Sequence, residues 1–386
     1  MPVCCSIPLI MQHGVQQNNI GNNEKQNLNP PPLSVKFQRS TRFAGMKSWS
    51  ARIIIIAFLG IIVYGVLFCQ SMIPSFDTNK RGEDLRCYRR IVERIQSGES
   101  YYQATYSELR SRGYPTNSVF NWRMPLLAWT MGQSSNIELC QLIGIILSLV
   151  TLAIWISVLQ VFDSFNKMLA GGLLLLGLPI YSFIPDVFLV HEFWAGALIT
   201  LSLAAYAKGW RLASSLFGLM ALFVREIALP YIIIMLVLSY YEKHRREALI
   251  WLSGIFAFTL MMVIHISYIK NITMNNNLIQ FGSWITLGGW QFVLSTAQMH
   301  PYLLLLPIWF TAMVLPMAIL GLIGWKDPLF LRISATICLY ISIFLFIGKP
   351  FNMYWGMIYV NILLLGLLNT FYSMRDLWQS ARIPYW

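Results

Sequence analysis

Charge is what this sequence has least of. Asp, Glu, Lys and Arg make up 11% of the 386 residues, less than half of the roughly 25% usual in a globular domain, so a soluble protein with a fully hydrated surface is excluded. Acidic groups are the scarcer sign, 16 against 28 basic ones. Each carboxylate therefore carries information. The six cysteines, Cys4, Cys5, Cys69, Cys87, Cys140 and Cys338, show neither a disulfide framework nor metal-ligand spacing. The five histidines (His13, His191, His244, His265 and His300) are too dispersed for a zinc site. No internal repeat is visible, which argues against the repeat-built transporters. The first 45 residues lack a long apolar stretch of the signal-peptide kind.

What the chain has instead is apolar length. With 56% apolar residues and a mean hydropathy of +0.57, it reads as an all-α membrane protein. A span needs about 20 mostly apolar residues to cross about 30 Å of hydrocarbon. About ten such stretches are expected, near 52–73, 138–161, 167–185, 187–206, 210–228, 229–241, 247–269, 301–324, 328–347 and 354–373. Arg225, Glu226 and Pro230 interrupt one long run, which reads as two helices meeting at the outer face.

Orientation follows from where Lys and Arg collect. Lys36, Arg39, Arg42, Lys47 and Arg52 precede the first span, and Lys167, Lys208, Arg211, Lys243, Arg245, Arg246, Lys326 and Arg375 occupy later short loops. With ten spans these fall on one side and both termini are cytoplasmic. The opposite face then holds the 74–137 loop, the 270–300 loop and the Gly348–Lys349–Pro350 turn. The 74–137 loop is basic against the rule, with Lys80, Arg81, Arg86, Arg89, Arg90, Arg94, Arg110, Arg112 and Arg123. Two readings of that excess stand: contact with anionic headgroups, or binding of a lipid phosphate. No nucleic-acid partner is expected.

Residues 1–46 read as a disordered cytoplasmic tail, because Gln16–Asn19, Asn22–Asn23 and Pro30–Pro32 cannot bury a core. Met46–Lys47, directly before the first span, looks like a natural start, with the upstream part an extension. Residues 47–386 form the transmembrane domain.

The 74–137 loop can be read residue by residue. From Asp84 to Ile95, Leu85, Tyr88, Ile91, Val92 and Ile95 recur at helical spacing, while Arg86, Arg89, Arg90, Glu93 and Arg94 take the other side. This predicts an amphipathic helix lying on the membrane. Asp84 falls on the inward stripe at its start, four residues before Tyr88; the plainer reading makes it an N-cap. Gly98 stops the helix. A second helix is expected to open at Thr105, with Glu108 completing a capping box, and to end at Gly113–Tyr114–Pro115. The chain then returns to the membrane through Phe120–Pro125.

This order of first span, Asp84-x-x-x-Tyr88, amphipathic helix, Gly98-x-x-Tyr101–Tyr102 and Arg123–Met124–Pro125 resembles the GT-C superfamily of membrane glycosyltransferases. Within it, the likeness is to bacterial polyprenyl-phosphate-sugar-dependent members of the family 87 mannosyltransferase type. Later elements are His191–Gly196, Phe223–Pro230 and Lys349–Gly356. The resemblance runs from about Lys47 to Trp386. It implies an inverting transfer at the extracytoplasmic face of a bacterial inner or plasma membrane, from a polyprenyl-phosphate sugar donor to a glycan or lipid acceptor, with Asp84 as catalytic base. The chain has Glu83–Asp84 where some members carry Asp-x-Asp, so a requirement for a divalent cation stays open.

The chemistry is coherent apart from the name. A hydroxyl acceptor must lose its proton as it attacks, which a positioned carboxylate assists. The departing lipid phosphate gathers negative charge that Arg or Lys can stabilise. Arg123, Arg225 and Lys349 are the candidates for that role, with Tyr88, His191, Glu192 and Glu226 as further substrate-binding residues. Each has a plainer alternative: Arg225–Glu226 as a structural ion pair, His191–Glu192 as a cap, Asp186 as a span terminator, Lys349 as a snorkelling residue. The rival functions are a glycolipid transporter or flippase, and a non-catalytic assembly subunit.

Overall fold

The computed structural model describes residues 40–69, 78–160, 165–273 and 286–382. It is all-helical, 82% helix with no strand among the described residues. Four helices are long and apolar enough to cross a membrane: Ser48–Phe68, Glu138–Leu159, Arg245–Thr273 and Pro328–Phe346. A fifth crossing arises if Pro350–Ile358 and Val360–Arg382, bent by 56°, form one broken span. The first of these helices exposes Ile53, Ile56, Leu59, Ile61, Val63 and Leu67. So much uncovered hydrocarbon is tolerated on a protein whose solvent is lipid. Helices of this length and apolarity are those of an all-α membrane protein.

Several expected spans are broken, and the breaks have local causes. The 301–324 stretch divides into Pro301–Leu304 and Ile308–Gly324, with Pro307 at the N-cap of the second piece, where its fixed φ suits a helix start, while Pro316 is carried inside that helix. The 167–185 stretch divides into Phe165–Leu174 and Gly177–Ser182. Arg225, extended at φ −151° and ψ 118°, separates Arg211–Val224 from the turn that leads into Leu229–Tyr241. That break is the one the charges at 225 and 226 foretold.

At the centre lies His191–Ala207, every residue of which is buried. It has no polar face because protein surrounds it. Gly196 lets the Pro350–Ile358 segment come close: a methyl there would stand 2.1 Å from the Met357 carbonyl oxygen. This contact brings the two ends of the candidate site together.

The helix of the basic loop runs over Thr78–Gln96, not from Asp84. Asp84 is therefore in its second turn, and the N-cap reading is corrected. Cys87, Ile91, Val92 and Ile95 on its apolar face are buried. That face packs on the Tyr101–Ser111 and Pro125–Gly132 helices, so protein covers the stripe expected to lie on lipid. Gly98, at φ +97°, ends this helix. The second helix starts at Tyr101, where the Ser100 hydroxyl accepts from the Gln103 amide at 3.3 Å. Thr105 is buried within it, and Glu108 pairs with Arg94 and Arg112. The capping box is thus displaced by a serine one turn earlier. Gly113, at φ +71°, ends this helix as expected.

Residues 1–39 lie outside the described residues, and with them most of the expected tail. Its boundary at 46 is too late. Thr41 N donates to Asp376 Oδ2 at 2.7 Å, Arg42 Nε to Trp325 O at 2.6 Å, and Phe43 is buried against Ala51, Leu320 and Leu377. One buried aromatic and two hydrogen bonds tie these residues to the later helices.

Candidate functional site

Asp84 and Tyr88 project one helical turn apart from the basic helix. Asp84 Oδ1 accepts a short hydrogen bond from the Tyr114 hydroxyl. Burial raises the Asp84 pKa above its ordinary 3.8, while the Tyr114 bond and the Arg123 charge oppose that rise. The result is a carboxylate with more proton affinity than a surface aspartate, held by a phenol whose own pKa burial pushes up. A carboxylate of raised proton affinity is better suited than a surface aspartate to take a proton from a neighbouring hydroxyl.

Tyr88 faces Arg123. Its hydroxyl oxygen accepts from Arg123 Nε at 3.2 Å and Nη2 at 3.0 Å, and the same Nη2 donates to the Tyr354 hydroxyl at 2.6 Å. Arg123 Nη1 also donates to the Phe120 carbonyl at 3.3 Å. These partners are neutral. Arg123 is buried, and among the described residues no carboxylate pairs with it directly. Its backbone lies at φ 58° and ψ 175°, a conformation that costs a side-chain-bearing residue on the order of 1–3 kcal/mol. The chain turns sharply between Val119–Trp122 and Pro125–Gly132 to aim this guanidinium inward.

Arg225 is arranged differently. Its Nε donates to Glu192 Oε1 at 2.7 Å and its Nη1 makes a short bond with Glu226. Two carboxylates thus share one guanidinium within the fold. The plain ion-pair reading of Arg225–Glu226 is correct for the contact, and the structure adds Glu192 as the closer-buried partner. His191 sets its ring edge-on to Tyr88, with centroids 5.9 Å apart. Seven of the candidate residues, from Asp84 and Tyr88 through Arg123, His191, Glu192 and Arg225 to Glu226, therefore form one cluster. Lys349 stands at the start of the segment that carries Tyr354 to Arg123, and its ammonium lies 5.9 Å from the Phe351 ring centroid.

Beside the cluster is a small, partly open cavity of about 20 Å³, room for about one water molecule. Ile91, Val92, Leu127, Met131 and Leu189 supply apolar walls, and Tyr88, Arg123 and His191 supply the polar end.

Other candidates take different roles. Asp186, at φ 64°, makes a short ion pair with Arg89, which also reaches Glu138 at 3.5 Å, so it fastens the basic helix and does not simply end a span. Trp122 is buried, and its indole donates to Thr116 O at 3.0 Å. Among the described residues no three His, Cys, Asp or Glu side chains gather as a metal-ligand set. Tyr114, expected at the end of the second helix, and Tyr354, within the Lys349–Gly356 element, also belong to the site. Nothing in their spacing marks them, since both are brought in by packing.

No protein-family model, curated protein or solved structure matches this chain.

Proposed function

We propose that the chain is a multi-pass membrane glycosyltransferase that moves a sugar from a polyprenyl-phosphate donor to a glycan or lipid acceptor at the extracytoplasmic face, with inversion. In this reading the broken apolar stretches complete about ten crossings, and the 78–132 region covers the site from outside. The observation that carries it is the convergence of two unlike groups on the basic helix, Asp84 from its own second turn and Arg123 through its bonds to Tyr88 one turn further on. A carboxylate of raised proton affinity, Asp84, stands next to a buried guanidinium, Arg123, whose direct partners are neutral.

Each group has a task in the transfer. Asp84 takes the proton of the acceptor hydroxyl as its oxygen forms the new bond to the anomeric carbon. The bond from that carbon to the donor phosphate oxygen breaks, and the phosphate leaves with the electron pair. Arg123, supported by Tyr88 and Tyr354, stabilises that charge in surroundings of low dielectric. Asp84 then gives its proton to water. Arg225 holds Glu192 and Glu226 in place and acts on the donor through the shape of the site.

Purified protein supplied with a radiolabelled polyprenyl-phosphate sugar and extracted membrane glycolipids tests this. Labelled product with wild type and none with Asp84→Asn is expected. Movement of the donor across vesicles without product would point to a flippase.

A further inference from the structure

The backbone of Arg123 holds a conformation that something else in the fold must impose. At φ 58° and ψ 175° it occupies a region that glycine enters freely and a residue with a side chain does not. Such a residue persists only where its surroundings over-determine it. One contact that does so is local: the Tyr101 hydroxyl donates a short bond to the Trp122 carbonyl and stands 3.4 Å from the Arg123 carbonyl.

The second contact comes from a distant part of the chain. His265 lies in the Arg245–Thr273 helix at 2% exposure, with its Nδ1 3.0 Å from the Tyr102 hydroxyl. Its Nε2 makes no hydrogen bond of normal geometry, although the Arg123 backbone is near enough to act on the ring. Buried polar atoms are almost always partnered. Tyr102 is itself held, stacked on Tyr268 of the same long helix with ring centroids 4.9 Å apart and planes at 11°. Two tyrosines that open one helix therefore reach the turn by two routes, Tyr101 directly and Tyr102 through His265.

We propose that His265 is a positioning residue for Arg123: its Nε2–H donates to the Arg123 carbonyl and holds that peptide in the conformation that turns the guanidinium toward Tyr88 and Tyr354. A carbonyl can only accept, so the ring proton sits on Nε2, and Nδ1 accepts from the Tyr102 hydroxyl. His265 transfers no proton and acts through the backbone of Arg123. The contact is independent of the reaction; its consequence for turnover rests on the transferase reading.

Thermal unfolding of the purified full chain in detergent tests the contact with a double-variant cycle. Wild type, Arg123→Gly, His265→Phe and the double variant are compared, because glycine adopts the φ of 58° without help. His265→Phe keeps a ring beside Tyr102 and has no donor. It should lower the midpoint at least about twice as far in the wild-type background as in the Arg123→Gly background. His265→Gln, which offers an amide N–H, should recover part of the loss. Should His265→Phe fail to fold, Tyr102→Phe, which releases the imidazole, takes its place in the cycle. In the transfer assay His265→Phe should lower kcat about tenfold to a hundredfold and leave the acceptor KM near wild type, as expected of a misaimed group and not of a lost binding contact. Equal loss of midpoint in both backgrounds, or unchanged kcat in an active His265→Phe protein, would overturn the proposal. Coupled unfolding in a protein that transfers nothing would leave the contact standing and remove the transferase reading. Transfer with uncoupled unfolding would do the reverse.

Discussion

Arg225 Nε lies 2.7 Å from Glu192 Oε1, and both side chains are 1% exposed. Thirty-three positions apart in the chain, the two close the His191–Ala207 helix onto the break before Leu229–Tyr241. A buried pair of this kind adds little net stability, because desolvation offsets the attraction, yet breaking it strands a charge. Removing the guanidinium here strands two carboxylates at once.

Arg225→Ala should therefore lower stability by about 3–5 kcal/mol, seen as a lower unfolding midpoint in detergent and poor recovery of folded protein. Arg225→Lys should restore part of it, since an ammonium supplies charge without the guanidinium fork. Equal stability of Arg225→Ala and wild type would show that the pair carries no structural weight.

Arg123 should separate from Arg225 in the same assay. Arg123→Gly removes the anion contact and also relieves a φ of 58° that glycine adopts freely. Its unfolding midpoint should stay within a few degrees of wild type while the affinity for a lipid phosphate falls at least tenfold. Affinity retained in a folded Arg123→Gly protein would move the phosphate contact elsewhere, with Arg86 and Arg89 next in line.

Asp84→Asn should abolish transfer, a loss of about 10²-fold or more for removal of a general base, with donor binding kept. Its folded-state pKa lies above the ordinary aspartate value, so between those two values the folded chain holds a proton that the unfolded chain has released. Stability consequently falls as pH rises through that window, and the amide removes this penalty. At neutral pH the Asn variant should be at least as stable as wild type, which thermal unfolding at two pH values can show.

The pH dependence of turnover should carry the same signature. Asp84 works ionised, so the acid limb of the rate profile should lie above 3.8. The Tyr114 hydrogen bond favours the ionised form. Tyr114→Phe should accordingly move the limb to higher pH and lower the rate below it, with the plateau at high pH less affected. A limb that does not move would separate Tyr114 from the base.

Gly196→Ala should disrupt the site without touching its chemistry. The added methyl meets the Met357 carbonyl oxygen at 2.1 Å, and backbone cannot rotate away as a side chain can. The Pro350–Ile358 segment must shift, which pulls Tyr354 from Arg123. Lower stability together with weaker lipid-phosphate binding is expected, measured by unfolding and by titration.

Much of the helical class was legible from composition, because a chain so poor in charge must satisfy its backbone internally wherever it meets lipid. The endings at Gly98 and Gly113 were legible too, since only glycine takes those positive φ values cheaply. So was the interruption at Arg225–Glu226, where two charges and a proline crowd one apolar run. Helix starts were less so. Ser100 and Thr105 are both N-cap residue types, and the structure uses Ser100, whose hydroxyl accepts from the Gln103 amide, with Thr105 buried within the helix. The uninterrupted look of 301–324 and 167–185 hid their breaks, since apolar content reports solvent preference and not helix continuity.

Within the site, the sequence by itself marked Asp84, Tyr88, Arg123, His191, Glu192, Arg225 and Glu226, because in an apolar chain a polar residue beside a predicted span is conspicuous. It could not sort them. Which cation meets carboxylates and which meets phenols depends on contacts across as many as 231 positions, as between Arg123 and Tyr354, and such distances carry no local signal. Tyr114 and Tyr354 enter by the same route. Residue type determined that charge would be used sparingly and at one group of segments; tertiary packing alone decided that Arg225 bonds carboxylates directly, that Arg123 bonds phenols and a carbonyl, and that Asp84 lies buried enough to hold its proton more tightly than a surface aspartate.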